Sequence, residues 1–206
     1  MLHRFTVDET AYGLLHYLFS LPVLKNNFAL AGGTSLSLQI GHRKSIDLDI
    51  FCTQQFDTKE LEIILSSNPE FLFNYTHSNQ RMLFSFINNI KCDFVHEPAA
   101  LIQPFLQYDD IKYFSIPDIA AMKMHTICGR GKRKDFFDIY CLLQLYSWQE
   151  MLGWFGKKYG DTQFYYLWRS ISYFADAEED VAIQGIPPFD KSWPEIKSFI
   201  LKACTQ

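Results

Sequence analysis

The sequence has no apolar run approaching the roughly 20 residues that a membrane-spanning helix needs. Its start, MLHRFTVDET, carries Asp8 and Glu9 and lacks the apolar stretch of a secretion signal. Both absences lead to the expectation of a cytoplasmic protein with no membrane partner. Cysteine is sparse and unpatterned. Cys52, Cys92, Cys128, Cys141 and Cys204 contain no CxxC pair and have no histidine at zinc-finger spacing, which excludes a disulfide scaffold or zinc module and reads as reduced thiols. His16, His77 and His125 lack a partner at metal-ligand spacing. Internal repeats, low-complexity tracts and Gly/Ser linkers are missing as well. The net charge is only −4, which excludes a protein that coats nucleic acid through its global field but leaves room for a local basic patch.

What is present suits a folded chain of 206 residues: 48% are hydrophobic and 17% aromatic, enough for a large core. The length fits one medium domain, or a core with a helical appendage. Apolar spacing predicts a helix over 8–20, ending at Pro22, and a short strand over 28–31. Thr34, directly after Gly32-Gly33, is expected to cap a short helix that stops at Gly41. Alternation predicts a strand over 46–51, and a helix follows over 58–66. Three strands are expected over 71–77, 82–87 and 90–95, the last two joined by an Asn88-Asn89 turn, with a further short strand over 111–114. From Ser115 the pattern turns helical: Ser115-Ile116-Pro117-Asp118 is a start signal. Helices are expected over 117–128, 134–146, 148–159, 162–174 and 193–202. Trp148, Trp154 and Trp168 read as core fillers of these helices.

The chemistry concentrates in FALAGGTSLSLQIGHRKSIDLDIF. Glycines at the start of a helix let a ligand approach the backbone, and the unpaired N–H groups there favour a phosphate; the Thr34 hydroxyl can add a donor. Asp47 and Asp49 sit at i and i+2 of the predicted strand, so both carboxylates share a face while Leu48 and Ile50 point to the core. Two like charges side by side are costly without a cation between them, and hard oxygen ligands select Mg²⁺. Asp93, on a neighbouring predicted strand, offers a third acid; three such acids could hold metal and support in-line attack on phosphorus.

LAGGTSLSLQIGHRKSIDLDIF resembles the AbiEii-type toxin nucleotidyltransferases, a branch of the polymerase-β-like superfamily, at Gly32, Gly33, Thr34, His42, Arg43, Ser45, Asp47, Asp49 and Phe51. DIAAMKMHTICGRGKRKDFFDIYCLL resembles the family's second block at Lys123, Arg130, Lys134, Asp135 and Asp138. Read without the family, Lys123 is either a snorkelling surface lysine or a counter-charge to leaving pyrophosphate. Asp135 reads equally as compensation of a helix dipole or as part of a site. Asp138 lies among apolar residues and needs a partner, with Lys123 or a basic residue of the adjoining turn as the natural one. The run of Arg130, Lys132, Arg133 and Lys134 reads equally as a solvated loop or as a contact for polyphosphate or RNA. His42 reads as orienting the loop before Ser45.

The fold class expected is α+β: a nucleotidyltransferase-like mixed sheet with flanking helices over 1–114, followed by a C-terminal helical bundle over 115–206. The resemblance implies an enzyme that moves an NMP from an NTP to an acceptor hydroxyl with Mg²⁺. The acceptor implied is RNA, tRNA in some members, and a cognate antitoxin is implied as partner. In that reading Asp47, Asp49 and Asp93 hold metal, and Gly32, Gly33, Thr34, Arg43, Ser45, Lys123 and Asp135 bind nucleotide. Lys123 and Asp138 join the acids in catalysis. Two rivals are an enzyme of the same fold acting on a small molecule, and a non-catalytic nucleotide-binding module.

Overall fold

Alternating burial through Leu48, Ile50 and Cys52, and two tight hairpins, build a mixed seven-stranded sheet in a computed structural model that describes residues 1–204. The elements are α1 (Glu9–Ser20), α2 (Pro22–Asn27), β1 (Ala29–Leu30), α3 (Gly32–Ile40), β2 (Leu48–Cys52), α4 (Thr58–Ser66), β3 (Phe73–Ser78), β4 (Met82–Ile87) and β5 (Ile90–His96). They continue with β6 (Leu106–Tyr108), β7 (Ile111–Tyr113), α5 (Ile116–Gly129), α6 (Arg133–Leu143), α7 (Trp148–Tyr159), α8 (Phe164–Ser170) and α9 (Trp193–Cys204). Strand order is β3-β4-β5-β2-β1-β7-β6. The β2/β5 and β1/β7 pairs are parallel and the others antiparallel.

Both hairpins turn on residues with positive φ: Asn88 (51°) and Asn89 (64°), then Asp109 (48°) and Asp110 (64°). That pairing is the signature of a type I′ turn. Strand β6 was not expected from the sequence, nor was α2, which starts on Pro22, the residue read as a stop. Three expected helices differ in extent: α6 ends at Leu143, α8 at Ser170, and α9 reaches Cys204.

Two hydrophobic cores lie on opposite faces of the sheet. One joins α1, α2 and α4 to Leu48, Ile50, Leu83, Ile87, Cys92 and Phe94. The other joins α5 to α9 with Ala29, Leu36 and, at its edge, Phe51. Among the described residues none from β3, β4 or β5 enters this second core. The C-terminal helices therefore cover only part of their face of the sheet. Trp148 is buried in that core as expected, but Trp168 is 48% exposed. The five cysteines form no disulfide, and burial pushes the Cys128 thiol up to about 11 and Cys52 to about 12. No helix among the described residues is long and apolar enough to cross a membrane.

Ser115 caps α5 as its sequence signal predicts, accepting from the Asp118 N–H. The Asp118 carboxylate does more than cap. It accepts from the Ile102 and Gln103 N–H groups (3.0 and 3.1 Å), from Ser115 Oγ (2.7 Å) and from Lys158 Nζ of α7 (2.9 Å), and neither charged side chain is exposed. This knot ties the loop after β5 to two helices. Removing one partner of such a pair leaves a buried charge uncompensated, so Lys158→Met is expected to lower unfolding free energy by about 3 kcal/mol in urea denaturation. An unchanged midpoint would show that the pair contributes nothing.

Candidate active site

The site begins where β1 passes into α3. Ala31, in extended conformation, is the N-cap, and Gly32 opens the helix with φ +63°. A Cβ at Gly32 would overlap the Asp49 carboxylate, and one at Gly33 would overlap Arg43 Nη2. Both positions are therefore restricted to glycine by close approach, and at Gly32 by backbone conformation too. No side chain caps α3, and Gly33 in its first turn lines the cleft.

Thr34 is not the cap expected from sequence, because Gly32 starts the helix two residues earlier. It is fully buried, and its hydroxyl donates to the Asp47 carbonyl and lies 2.8 Å from Ser45 Oγ. The expected hydroxyl contact to phosphate is thus corrected: Thr34 holds the backbone of Asp47 in place behind the cleft.

Asp49 lies on β2, and Asp93 is its direct partner on parallel β5. Side chains so paired project from one face. Asp47 precedes β2 by one residue rather than lying in it, yet it lines the same cleft. Burial raises the Asp49 pKa above the usual carboxylate value; the Asp93 charge adds to this while Lys123 opposes it. Asp93 Oδ1 is buried with no hydrogen-bond partner. The other Asp93 oxygen pairs with Lys91, and Asp47 Oδ2 lies 3.4 Å from Lys134 Nζ. As the side chains stand, among the described residues no three His, Cys, Asp or Glu are gathered closely enough to hold a metal.

The cleft, about 320 Å³, is lined by Gly33, Ser45, the carboxylates of Asp47, Asp49, Asp93 and Asp135, and the cations of Arg43, Lys91, Lys123, Arg130, Lys132 and Lys134. Six cations against four carboxylates leave an excess of positive charge, which suits a polyanion. Lys91 was missed in the sequence. The signal was there, since Lys91 and Asp93 are two apart on a strand and must share a face.

Behind the cleft stands Asp138, on α6. Its carboxylate has no exposure and is fully engaged: Oδ1 accepts from His42 Nε2 and Arg43 Nε, each at 2.7 Å, while Oδ2 accepts from Arg43 Nη2 at 3.0 Å and pairs with Lys123 Nζ at 2.7 Å. Burial alone would raise its pKa. The Arg43 and Lys123 charges and the His42 hydrogen bond outweigh it and hold Asp138 well below the usual range. His42 is kept neutral by burial, with Nε2–H donating. Lys123 would lose its proton through burial, but Asp138 and Asp135 keep it charged. It also bonds Asp135 Oδ1 at 2.9 Å.

Asp138, expected among the catalytic residues, is fully buried and holds Arg43 and Lys123 in place. Of the partners its sequence context called for, Lys123 is present and the adjoining turn supplies none; Arg43 and His42, 95 and 96 residues upstream, complete the set. The His42-Arg43 loop is pinned from the other side, where Ile186 N–H donates to the His42 carbonyl (2.8 Å) and Arg43 bridges Gly185.

The basic run divides. Arg130, Lys132 and Lys134 face the cleft. Arg133 turns away: Nε donates to Ala177 O (2.9 Å), Nη2 to Glu178 O (2.5 Å), and its guanidinium lies 5.1 Å from the Trp193 ring centre. Arg133 is a clamp on the 177–180 segment, so of the two readings left open for the basic run, a solvated loop or an RNA contact, it fits neither.

Residues 14–161 match the family described as nucleotidyl transferase AbiEii toxin of type IV toxin–antitoxin systems. The chain is 30% identical over 178 residues to an uncharacterised protein of Aquifex aeolicus (strain VF5), with 84% of each chain covered. Among solved structures, its fold is similar to MenT4, a nucleotidyltransferase toxin of Mycobacterium tuberculosis H37Rv, at TM-score 0.54 and 14% identity over 94% of this chain and 81% of that one. It is also similar to a Helicobacter pylori protein described as a candidate nucleotidyltransferase, at TM-score 0.50 and 17% identity over 96% of each. At these identities the two structures speak for the fold alone.

Asp138 supplies a pH test. Its folded-state pKa is depressed, so its contribution to stability is complete above the unfolded carboxylate value near 4 and is lost as pH falls through the lower folded value. Asp138→Asn leaves Arg43 and Lys123 buried without their shared counter-charge. A loss of about 3–5 kcal/mol is expected at neutral pH, shrinking only below about pH 4. A variant as stable as wild type at pH 7 in thermal and urea unfolding would contradict this.

Proposed function

This chain belongs to the AbiEii nucleotidyl transferase toxin family and is a nucleotidyltransferase; we propose that it moves an NMP from a Mg²⁺-bound NTP to a hydroxyl of an RNA acceptor, tRNA by family resemblance. The observation that carries this reading is the strand-to-strand pairing of Asp49 with Asp93, beside Asp47, at the floor of a cleft with excess positive charge.

The donor set fits a hard divalent cation in kind: the Asp47 and Asp49 carboxylates line the cleft, with Asp93 lining it too. Asp47 and Asp49 would hold Mg²⁺, which would supply charge neutralisation at the transferring phosphate, while Asp93 keeps Oδ1 for the acceptor. Lys91 and Lys134 now offset two of these carboxylates, and both are partly exposed and able to swing toward phosphate. The Gly32-Gly33 backbone and the start of α3 receive β- and γ-phosphates. Arg43, held rigid by Asp138, presents a guanidinium edge at the Gly33 turn. Lys123, whose charge is shared with Asp135 and Asp138, sets the field at Asp49 rather than acting as an unengaged phosphate ligand. Asp93 Oδ1 takes the proton of the acceptor hydroxyl. The oxygen then bonds to the α-phosphorus, the bond from that phosphorus to the bridging oxygen breaks, and pyrophosphate leaves.

The cationic excess favours an RNA acceptor over a cationic small molecule. The family description adds a type IV antitoxin as the expected partner and toxicity as the expected effect of unopposed expression. The division into a catalytic core over 1–114 and a helical region over 115–206 belongs to the same reading, with the helical region supplying Lys123 and Asp135.

Incubation with each α-³²P NTP and total cellular RNA should label RNA in a Mg²⁺-dependent way, and Asp49→Asn should abolish labelling while leaving the melting temperature near or above that of wild type. Label transfer by the variant at the wild-type rate would overturn the assignment. Expression alone should slow bacterial growth, and Asp47→Ala should relieve it; equal arrest by both would place toxicity elsewhere. If RNA is held by the cationic rim, Lys132→Ala with Lys134→Ala should flatten the salt dependence of RNA affinity by about two units in fluorescence anisotropy. Identical slopes would acquit that rim.

A further inference from the structure

The sheet face that carries Asp49 and Asp93 continues past the cleft across β4 and β3. Phe84 is the direct partner of Asp93, Phe86 of Lys91, and His77 of Phe84. Paired residues on adjacent strands share a face. Leu83, Ser85 and Ile87, which alternate with these phenylalanines, are buried on the opposite face, where α4 packs. Phe84 and Phe86 join neither hydrophobic core, and Phe86 is 41% exposed. The exposed His77 ring lies nearly parallel to Phe84, at 23° and 6.4 Å between centres. A half-solvated sheet places polar side chains at such positions. Here it carries two phenylalanines in line with a catalytic carboxylate.

We infer that this face is the acceptor platform: the single-stranded end of an RNA lies over β4 and β3, with bases stacked on Phe84 and Phe86. The inference rests on the RNA-acceptor reading above and names the surface that reading lacks. Three observations select a nucleic acid as occupant. The aromatic rings offer π-faces that any base can stack on, at a strength that suits sequence-tolerant binding. Lys91, the strand partner of Phe86, joins the platform to the cleft, whose further cations Lys132 and Lys134 suit a phosphate backbone. The platform is also continuous with the chemistry: Phe84 is one strand spacing, about 4.8 Å, from Asp93, the carboxylate assigned to the acceptor hydroxyl. A base resting on Phe84 therefore belongs to the nucleotide whose hydroxyl is beside Asp93, and Phe86 serves its neighbour. A protein partner would use the apolar rings but leave the aligned cations and carboxylates unexplained.

The test uses the whole protein and a short fluorescein-labelled single-stranded RNA with an unblocked 3′ hydroxyl. Phe84→Ala with Phe86→Ala should weaken RNA binding about tenfold or more and raise KM for RNA. Affinity for a fluorescent NTP analogue, melting temperature and the salt slope should stay at wild-type values. Phe84→Trp should keep RNA affinity and Phe84→Leu should lose it, which separates stacking from simple burial. Wild-type RNA affinity in both the double variant and Phe84→Leu overturns the platform, as does an equal loss of nucleotide affinity. Variants that extend RNA normally but no longer bind a co-expressed antitoxin would assign the face to a protein instead. If the wild-type enzyme itself neither binds nor extends RNA at low salt, the RNA-acceptor reading fails and takes the platform with it. Undisturbed RNA extension by the variants sinks the platform alone.

Discussion

One unexposed carboxylate, Asp138, decides how the two halves of the chemistry meet. It reaches from a C-terminal helix to a loop 95 residues earlier and takes four short contacts from Arg43, His42 and Lys123. A buried acid is tolerated only when its lone pairs are filled, and here a bidentate guanidinium, an imidazole and an ammonium fill them. The pairing is geometrically demanding. It therefore fixes the loop between α3 and β2, and with it Ser45 and Asp47. Thr34 completes the fixation from the other side by bonding the Asp47 carbonyl. The Asp49–Asp93 strand pairing supplies the remaining rigid reference.

From that constraint follows the electrostatic character of the cleft. Arg43 and Lys123 spend much of their charge on Asp138 and Asp135. The cations available to an incoming polyanion are those on flexible, partly exposed stems: Lys91, Arg130, Lys132 and Lys134. Lys91 and Lys134 stand against Asp93 and Asp47, so carboxylate repulsion is relieved by the protein itself before any ligand arrives. A polyanion entering this cleft would meet cations that now pair with Asp93 and Asp47.

Much of this was legible in the sequence because it is local. The Asn-Asn hairpin and the Ser115 cap each depend on a few adjacent residues, and the structure places them as the pattern predicts; the glycine pair and the Asp47 and Asp49 acids come together at the cleft, although Gly32 already belongs to the helix and Asp47 stands just before its strand. What could not be read is non-local or depends on a single dihedral angle. Lys123 was legible as a partner for Asp138, one helix away, but no spacing rule links Asp138 to Arg43 and His42, which the structure adds. The left-handed φ of Gly32 moved the helix start two residues ahead of Thr34 and turned an expected phosphate donor into a backbone brace. Arg133 and Lys134 are adjacent cations, but helical geometry sends one to Trp193 and the other to Asp47. The short β6 strand escaped notice although Asp109-Asp110 is as much a hairpin signal as Asn88-Asn89. Lys91 went unread although its place two residues from Asp93 settles its face.

The dependence of the site on the Asp138 carboxylate is tested most directly by a double-mutant cycle. Unfolding free energies in urea would be measured for wild type, Arg43→Gln, Asp138→Asn and the double variant. A coupling of about 2 kcal/mol or more is expected, because each single change strands a buried charge that the double change removes. Coupling within about 0.5 kcal/mol would show that the two residues contribute independently, and would contradict the view that this pair holds the site together.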